Sequence, residues 1–120
     1  MSVSQTRLKY LLEIYRISEQ KQAVHSAEIA ETLGVRRPTV TRMLKSLLMQ
    51  SLITKESYGE VYLTRKGYRL AREYFNSVNR MMKLLPSLCP EMNSRQMYEA
   101  ACALILGILS NLMLSREKTE

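Results

Sequence analysis

The stretch LGVRRPTVTRMLKSL, residues 33–47, admits few folds. Val40, Met43, Leu44, Leu47 and Leu48 recur at helical spacing, so the chain from Pro38 to about Gln50 reads as an amphipathic helix with one face to bury. Pro38 lacks an N–H and is tolerated only in a first helical turn, which fixes where this helix begins. Gly34 stands just upstream, where a preceding helix can end in the left-handed conformation at little cost. Ser26 can cap that preceding helix, whose apolar positions are Ala27, Ile29, Ala30 and Leu33. Two helices joined by so short a glycine turn must cross steeply, and Ala30 is small where they would meet.

The flanking pattern completes a unit. Upstream, residues 6–20 carry Leu8, Leu11, Leu12, Ile14 and Tyr15 on a helical stripe. Downstream, LITKESYGEVYLT alternates around Ser57-Tyr58-Gly59-Glu60 and predicts two short antiparallel strands, residues 52–56 and 60–63. Thr64 then caps a long helix that Pro86 is expected to stop at Leu85. Ala71, Tyr74, Phe75, Val78, Met82 and Leu85 form its apolar face, opposite Arg65, Arg69, Arg72, Arg80 and Lys83. The fold expected is mainly α: a winged helix-turn-helix with a two-stranded wing over residues 1–63, then linking and C-terminal dimerisation helices over 64–120.

The last helix is predicted from Asn93 or Ser94 to about Ser115. From Ala100 to Leu109 it is apolar on every side, yet shorter than the ~20 residues a membrane span needs. No membrane association is expected. A helix apolar all round must be buried all round, which a second copy of the chain can provide. Leu104, Gly107, Ile108 and Leu112 are the predicted homodimer contacts, with Gly107 allowing two backbones to approach.

Charge divides the chain the same way. Residues 1–80 hold fourteen Lys and Arg against seven Glu, so the whole net charge of +7 lies there; residues 81–120 hold four against four. A basic front and a neutral apolar back suit a polyanion partner. The helix opened by Pro38 leaves Arg36, Arg37, Pro38, Thr39, Thr41, Arg42 and Lys45 outward. Double-stranded DNA fits this set. Arg42 can fork onto the O6 and N7 of a guanine, a contact worth about 1–3 kcal/mol of discrimination. Pro38 and the Thr39 methyl suit thymine methyls, and Arg36, Thr41 and Lys45 suit phosphates. The wing tip, with Tyr58, suits the backbone or minor groove. Enzymatic chemistry is not expected, because the chain has one histidine and no aspartate and lacks a phosphate-cradling glycine loop. Two cysteines, with no apolar leader after a basic start, predict reduced thiols and a cytoplasmic protein.

Over residues 8–80 the chain, with YLLEIYRISEQKQAVHSAEIAETLGVRRPTVTRMLKSLLMQSLI at 10–53 and GEVYLTRKGYRLAREY at 59–74, resembles the metal-dependent transcriptional repressors of the diphtheria toxin repressor and manganese transport regulator type. A tyrosine-bearing first helix and LT-x-x-G after the wing carry the likeness. The resemblance implies a homodimeric transcription factor, a repressor by family habit, with one winged domain per subunit on a palindromic operator. It also implies gating by Mn²⁺ or Fe²⁺. Carried over by position, however, that metal's ligands fall on Lys9, Leu12, Asn79 and, in the last helix, Cys102-Ala103-Leu104-Ile105-Leu106. Only Cys102 retains a ligating side chain, with Cys89, Met92 or Glu99 as possible companions. Mn²⁺ and Fe²⁺ favour oxygen and imidazole donors, so no bound metal is expected. A DNA-competent dimer without an effector, one gated by an apolar ligand, and one gated by a partner protein remain open. So do a metal-responsive repressor with a rearranged site and a winged-helix protein–protein adaptor.

Overall fold

The structure is a computed structural model that describes residues 5–21 and 23–119, with side chains as far as residue 112. Helix α1 (Gln5–Gln20) leads to a two-residue strand β1 (Val24–His25) and then to α2 (Ser26–Leu33) and α3 (Arg37–Met49). Strands β2 (Ile53–Lys55) and β3 (Glu60–Leu63) form the hairpin, and α4 (Arg65–Leu88) and α5 (Ser94–Thr119) follow. The described residues fall into two compact units, Tyr10–Arg72 on one hand and Met1–Lys9 with Glu73–Glu120 on the other.

Within Tyr10–Arg72 the helix-turn-helix forms as its residue pattern requires. Val40, Leu44 and Leu47 of α3 are buried, as are Ile29 and Ala30 of α2. Gly34 ends α2 at φ 66°, and the N–H of Val35 reaches back to the Ala30 carbonyl at 3.0 Å, so the turn closes on itself. His25, rather than Ser26, occupies the N-cap position, and Ser26 is the first helical residue. The Glu28 carboxylate accepts the His25 N–H at 3.1 Å and the Lys21 ammonium at 2.6 Å.

β2 and β3 form the expected two-stranded wing, and a third, unforeseen strand joins it. β1 adds to β3, giving an antiparallel sheet of order β1-β3-β2 with Val24 opposite Val61 and His25 opposite Glu60. Both valines are fully buried, and this cross-strand pair gives so short a strand its reason to form. At the hairpin tip the Gly59 N–H bonds to the Glu56 carbonyl at 2.9 Å with Gly59 at φ 93°, a tight turn followed by a glycine bulge.

The base of the wing is fastened to α4 by a compact clasp. Ser51 ends α3 in the left-handed region at φ 61°, and the Leu52 N–H bonds back to the Leu47 carbonyl at 3.0 Å. The Thr64 hydroxyl donates to the Ser51 carbonyl at 2.7 Å and accepts the Gly67 N–H at 3.0 Å, so it caps α4 while holding the end of α3. The backbone of α4 comes so close here that a Cβ on Gly67 would overlap the Leu52 carbonyl oxygen. The LT-x-x-G pattern is therefore a packing requirement. Tyr15 and Tyr68, ring centroids 5.6 Å apart, brace α1 against the start of α4.

In the second unit Tyr74, Val78 and Leu85 of α4 and Ala101, Ile105 and Leu106 of α5 are buried. Pro86 does not stop α4, which continues to Leu88. The proline removes one hydrogen bond close to the helix end, and the Cys89 N–H still reaches the Leu85 carbonyl at 2.8 Å. Asn93 caps α5 reciprocally: its side chain accepts the Gln96 N–H at 2.8 Å while the Gln96 side chain accepts its own N–H at 3.0 Å. The central part of α5 is not buried all round. Leu104, Ile108 and Leu112 are exposed among the described residues. Met113 and Leu114, the end of the apolar run, lie outside the described side chains. Among the described residues no helix is long and apolar enough to cross a membrane.

Candidate nucleic-acid interface

The outward face of α3 carries the cations and hydroxyls that its sequence leaves over after the core is built. Arg36, Arg37, Pro38, Thr41, Arg42 and Lys45 are exposed and Thr39 is half-buried, while Val40, Leu44 and Leu47 on the opposite face are closed to solvent. The helix begins at Arg37 with Pro38 in its first turn and Arg36 in extended backbone as N-cap. No side chain caps this end and no acidic residue sits in the first turn. Two guanidinium groups at the positive pole of a helix dipole oppose an isolated helix. They become favourable when an anion occupies the same end, where free N–H groups also point. The Thr41 hydroxyl donates to the Arg37 carbonyl at 3.1 Å, so its proton must turn outward before it can serve a phosphate.

Tyr58 stands at the wing tip and is exposed. Its surroundings are not uniformly basic: Lys55 is flanked by Glu56, and Glu60 accepts a hydrogen bond from the Tyr62 hydroxyl. That bond, with burial and the Glu60 charge adding to it, pushes the Tyr62 phenol up to about 12. The pairing ties one wing carboxylate to its own strand.

The positions to which the resemblance assigns metal ligands hold a different chemistry. Lys9 and Asn79 are exposed, Leu12 is buried, Cys102 is half-buried, and Ile105 and Leu106 are buried. Among the described residues no three His, Cys, Asp or Glu side chains lie together in a way that could hold a metal ion. An ammonium, an amide, a thiol and three aliphatic side chains do not fit Mn²⁺ or Fe²⁺, which take carboxylate and imidazole.

A family model described as "Iron dependent repressor, N-terminal DNA binding domain" matches residues 3–61, the helix-turn-helix and most of the wing. The front of this chain belongs to the iron-dependent repressor family. The HTH-type transcriptional regulator MntR of Bacillus subtilis is 32% identical over 63 residues, 52% of this chain and 44% of that protein. MntR of Shouchella clausii is 33% identical over the same length. The chain therefore spans less than half the length of the curated relatives it matches. Among solved structures, T. acidophilum IdeR superposes with a TM-score of 0.71 at 26% identity, covering 89% of this chain and 49% of that one. The manganese regulator SloR gives 0.68 at 25%, covering 94% and 54%. Lactococcus lactis ZitR, solved in complex with DNA, gives 0.62 at 21% identity over 96% of this chain and 76% of that one, a likeness of fold. The iron-dependent repressor family consists of transcriptional regulators, not enzymes.

Sequence reasoning placed all the cationic residues of α3 on the outer face, where the structure has them. It did not foresee Tyr10, whose ring is buried on α1 with its hydroxyl lacking a hydrogen-bond partner among the described residues. The signal available was slight: a tyrosine between Leu8 and Leu11 reads as one more apolar position.

Proposed function

We propose that the chain is a sequence-specific, duplex-DNA-binding transcriptional repressor that acts as a homodimer and does not need the family's metal. The observation that carries this reading is the uncapped, arginine-bearing start of α3, exposed on the side opposite its buried Val40, Leu44 and Leu47. This end enters the major groove, with Arg42 on a base edge and Arg36, Arg37, Thr41 and Lys45 on phosphates. Pro38 and Thr39 pack against thymine methyls, and Tyr58 follows the backbone beyond the groove. The basic charge of residues 1–80 draws the protein onto DNA before any base is read. A role on DNA places it with the chromosome in the cytoplasm.

Homodimerisation is supported by α5, where Leu104, Ile108 and Leu112 are 45%, 47% and 50% exposed at four-residue intervals. Three large apolar side chains on one stripe match the seam of a paired helix. Gly107 beside them has open space where a Cβ would stand, so a partner helix can approach. Independence from metal is supported by the donor set at the positions named above.

Binding of the purified chain to duplexes selected from a random pool tests this reading, with and without a strong chelator. Equal affinity in both conditions is expected. Release by the chelator, restored by Mn²⁺ or Fe²⁺, would establish a metal-responsive repressor with a rearranged site. No salt-sensitive duplex binding at all would favour the adaptor reading.

A further inference from the structure

The first two turns of α4, RKGYRLAR at residues 65–72, hold four cations and no carboxylate, more than half of the chain's net charge of +7. Arg65, Arg69 and Arg72 recur at i, i+4 and i+7, so they share one stripe of the helix, and all three are exposed. Gly67, against the Leu52 backbone, and Ala71 are buried on the opposite side. Lys66 lies off the stripe, its ammonium 3.4 Å from the Gln50 carbonyl. Among the described residues none of the three arginines forms a salt bridge or a side-chain hydrogen bond, and Glu73, the one carboxylate of α4, pairs with none of them. Like charges three and four residues apart weaken a helix, so α4 by itself gains nothing from this arrangement. The reading of α3 as the base-contacting helix leaves these cations without a role.

We propose that Arg65, Arg69 and Arg72 form a second, sequence-independent contact with the phosphate backbone of duplex DNA, beyond the base pairs that α3 reads. This rests on the reading of the chain as a duplex-DNA binder. At about 1.5 Å of rise per residue the stripe from Arg65 to Arg72 is about 10 Å long. That matches about three phosphate steps of roughly 3.4 Å along one strand, so three guanidinium groups can meet phosphates of a single strand. The planar fork of arginine takes two phosphate oxygens at once. A protein partner would need an apolar anchor, and the stripe offers none: Tyr68 beside it is taken up against Tyr15. Backbone contacts carry no base information, so this surface adds affinity for longer DNA without changing which sequence is preferred.

Duplex length and salt together test it. The wild type, Arg69→Gln and the triple variant Arg65→Gln, Arg69→Gln, Arg72→Gln are titrated against the shortest duplex that keeps full preference. The titrations are repeated with that duplex extended by about one helical turn on each side. The wild type is expected to bind the extended duplex more tightly than the short one, and the triple variant to lose that gain. On the extended duplex the slope of log affinity against log salt should fall by about 0.9 per subunit for Arg69→Gln and about 2.7 for the triple variant. Preference for the selected over a scrambled core should not change. Both variants should melt at or above the wild type, since glutamine is as good a helix former and like charges have been removed. The proposal is overturned if extension adds nothing to wild-type binding, if the triple variant keeps the wild-type gain and slope, or if it loses sequence preference. A wild type that binds neither duplex would sink the DNA reading itself; one that binds both, matched throughout by the triple variant, would sink this proposal alone.

Discussion

Replacing Gly67 with alanine adds one methyl group to the first turn of α4, and the structure shows where it goes. The new Cβ would overlap the Leu52 carbonyl oxygen and lie 2.9 Å from its carbon. The obstacle is backbone, so no rotamer change relieves it. That same carbonyl accepts the Thr64 N–H at 3.1 Å, and the neighbouring Ser51 carbonyl accepts the Thr64 hydroxyl. Moving the strand away therefore breaks the clasp between wing and α4. Overpacking that displaces backbone costs about 2–4 kcal/mol, and the better helix propensity of alanine returns about 1 kcal/mol. The net loss is about 1–3 kcal/mol, a fall in melting temperature of roughly 5–15 °C for a domain of this size. Thermal and urea melts followed by circular dichroism measure it. An alanine variant as stable as the wild type would refute the close-approach account of this glycine.

Further outcomes follow from the same structure. Ser51→Gly should gain about 0.5–1 kcal/mol in urea melts, because a left-handed backbone strains serine and not glycine. Glu28 is held below the usual carboxylate range, chiefly by its hydrogen bond from Lys21, with the His25 N–H adding to it and burial opposing. A depressed carboxylate contributes stability above its unfolded pKa and loses it as pH falls through the folded value. The stability difference between wild type and Glu28→Gln should therefore shrink as melts are moved from neutral to acid pH. Ile108→Glu should convert a dimer into monomers in sedimentation and weaken operator binding, while circular dichroism of the monomer stays helical.

The helix-turn-helix was legible because its information is local and periodic. Val40, Leu44 and Leu47 repeat at helical spacing and are the residues buried, and Gly34 marks the left-handed turn by its identity alone. Features that depend on distant partners were not legible. β1 has two residues, too few to show alternation, and exists because Val24 meets Val61. Ser51 takes a glycine-like conformation that its side chain does not announce, and Pro86 sits so near the end of α4 that the rule for helix breakers gives the wrong boundary. The exposed side of α5 could not be separated from its buried side by composition, since both are leucine and isoleucine. For the outward residues of α3, exposure was readable from the helical period.

The salt dependence of duplex affinity, compared between the wild type and Lys45→Ala, tests most directly whether the exposed face of α3 lies on DNA. Each phosphate neutralised by a cation adds about 0.9 to the slope of log affinity against log salt. With Lys45 on a phosphate in each subunit of a dimer, its removal should flatten that slope by about 1.8 and weaken selected and scrambled duplexes alike. A slope that does not change, with affinity for both duplexes intact, would contradict the account at its centre.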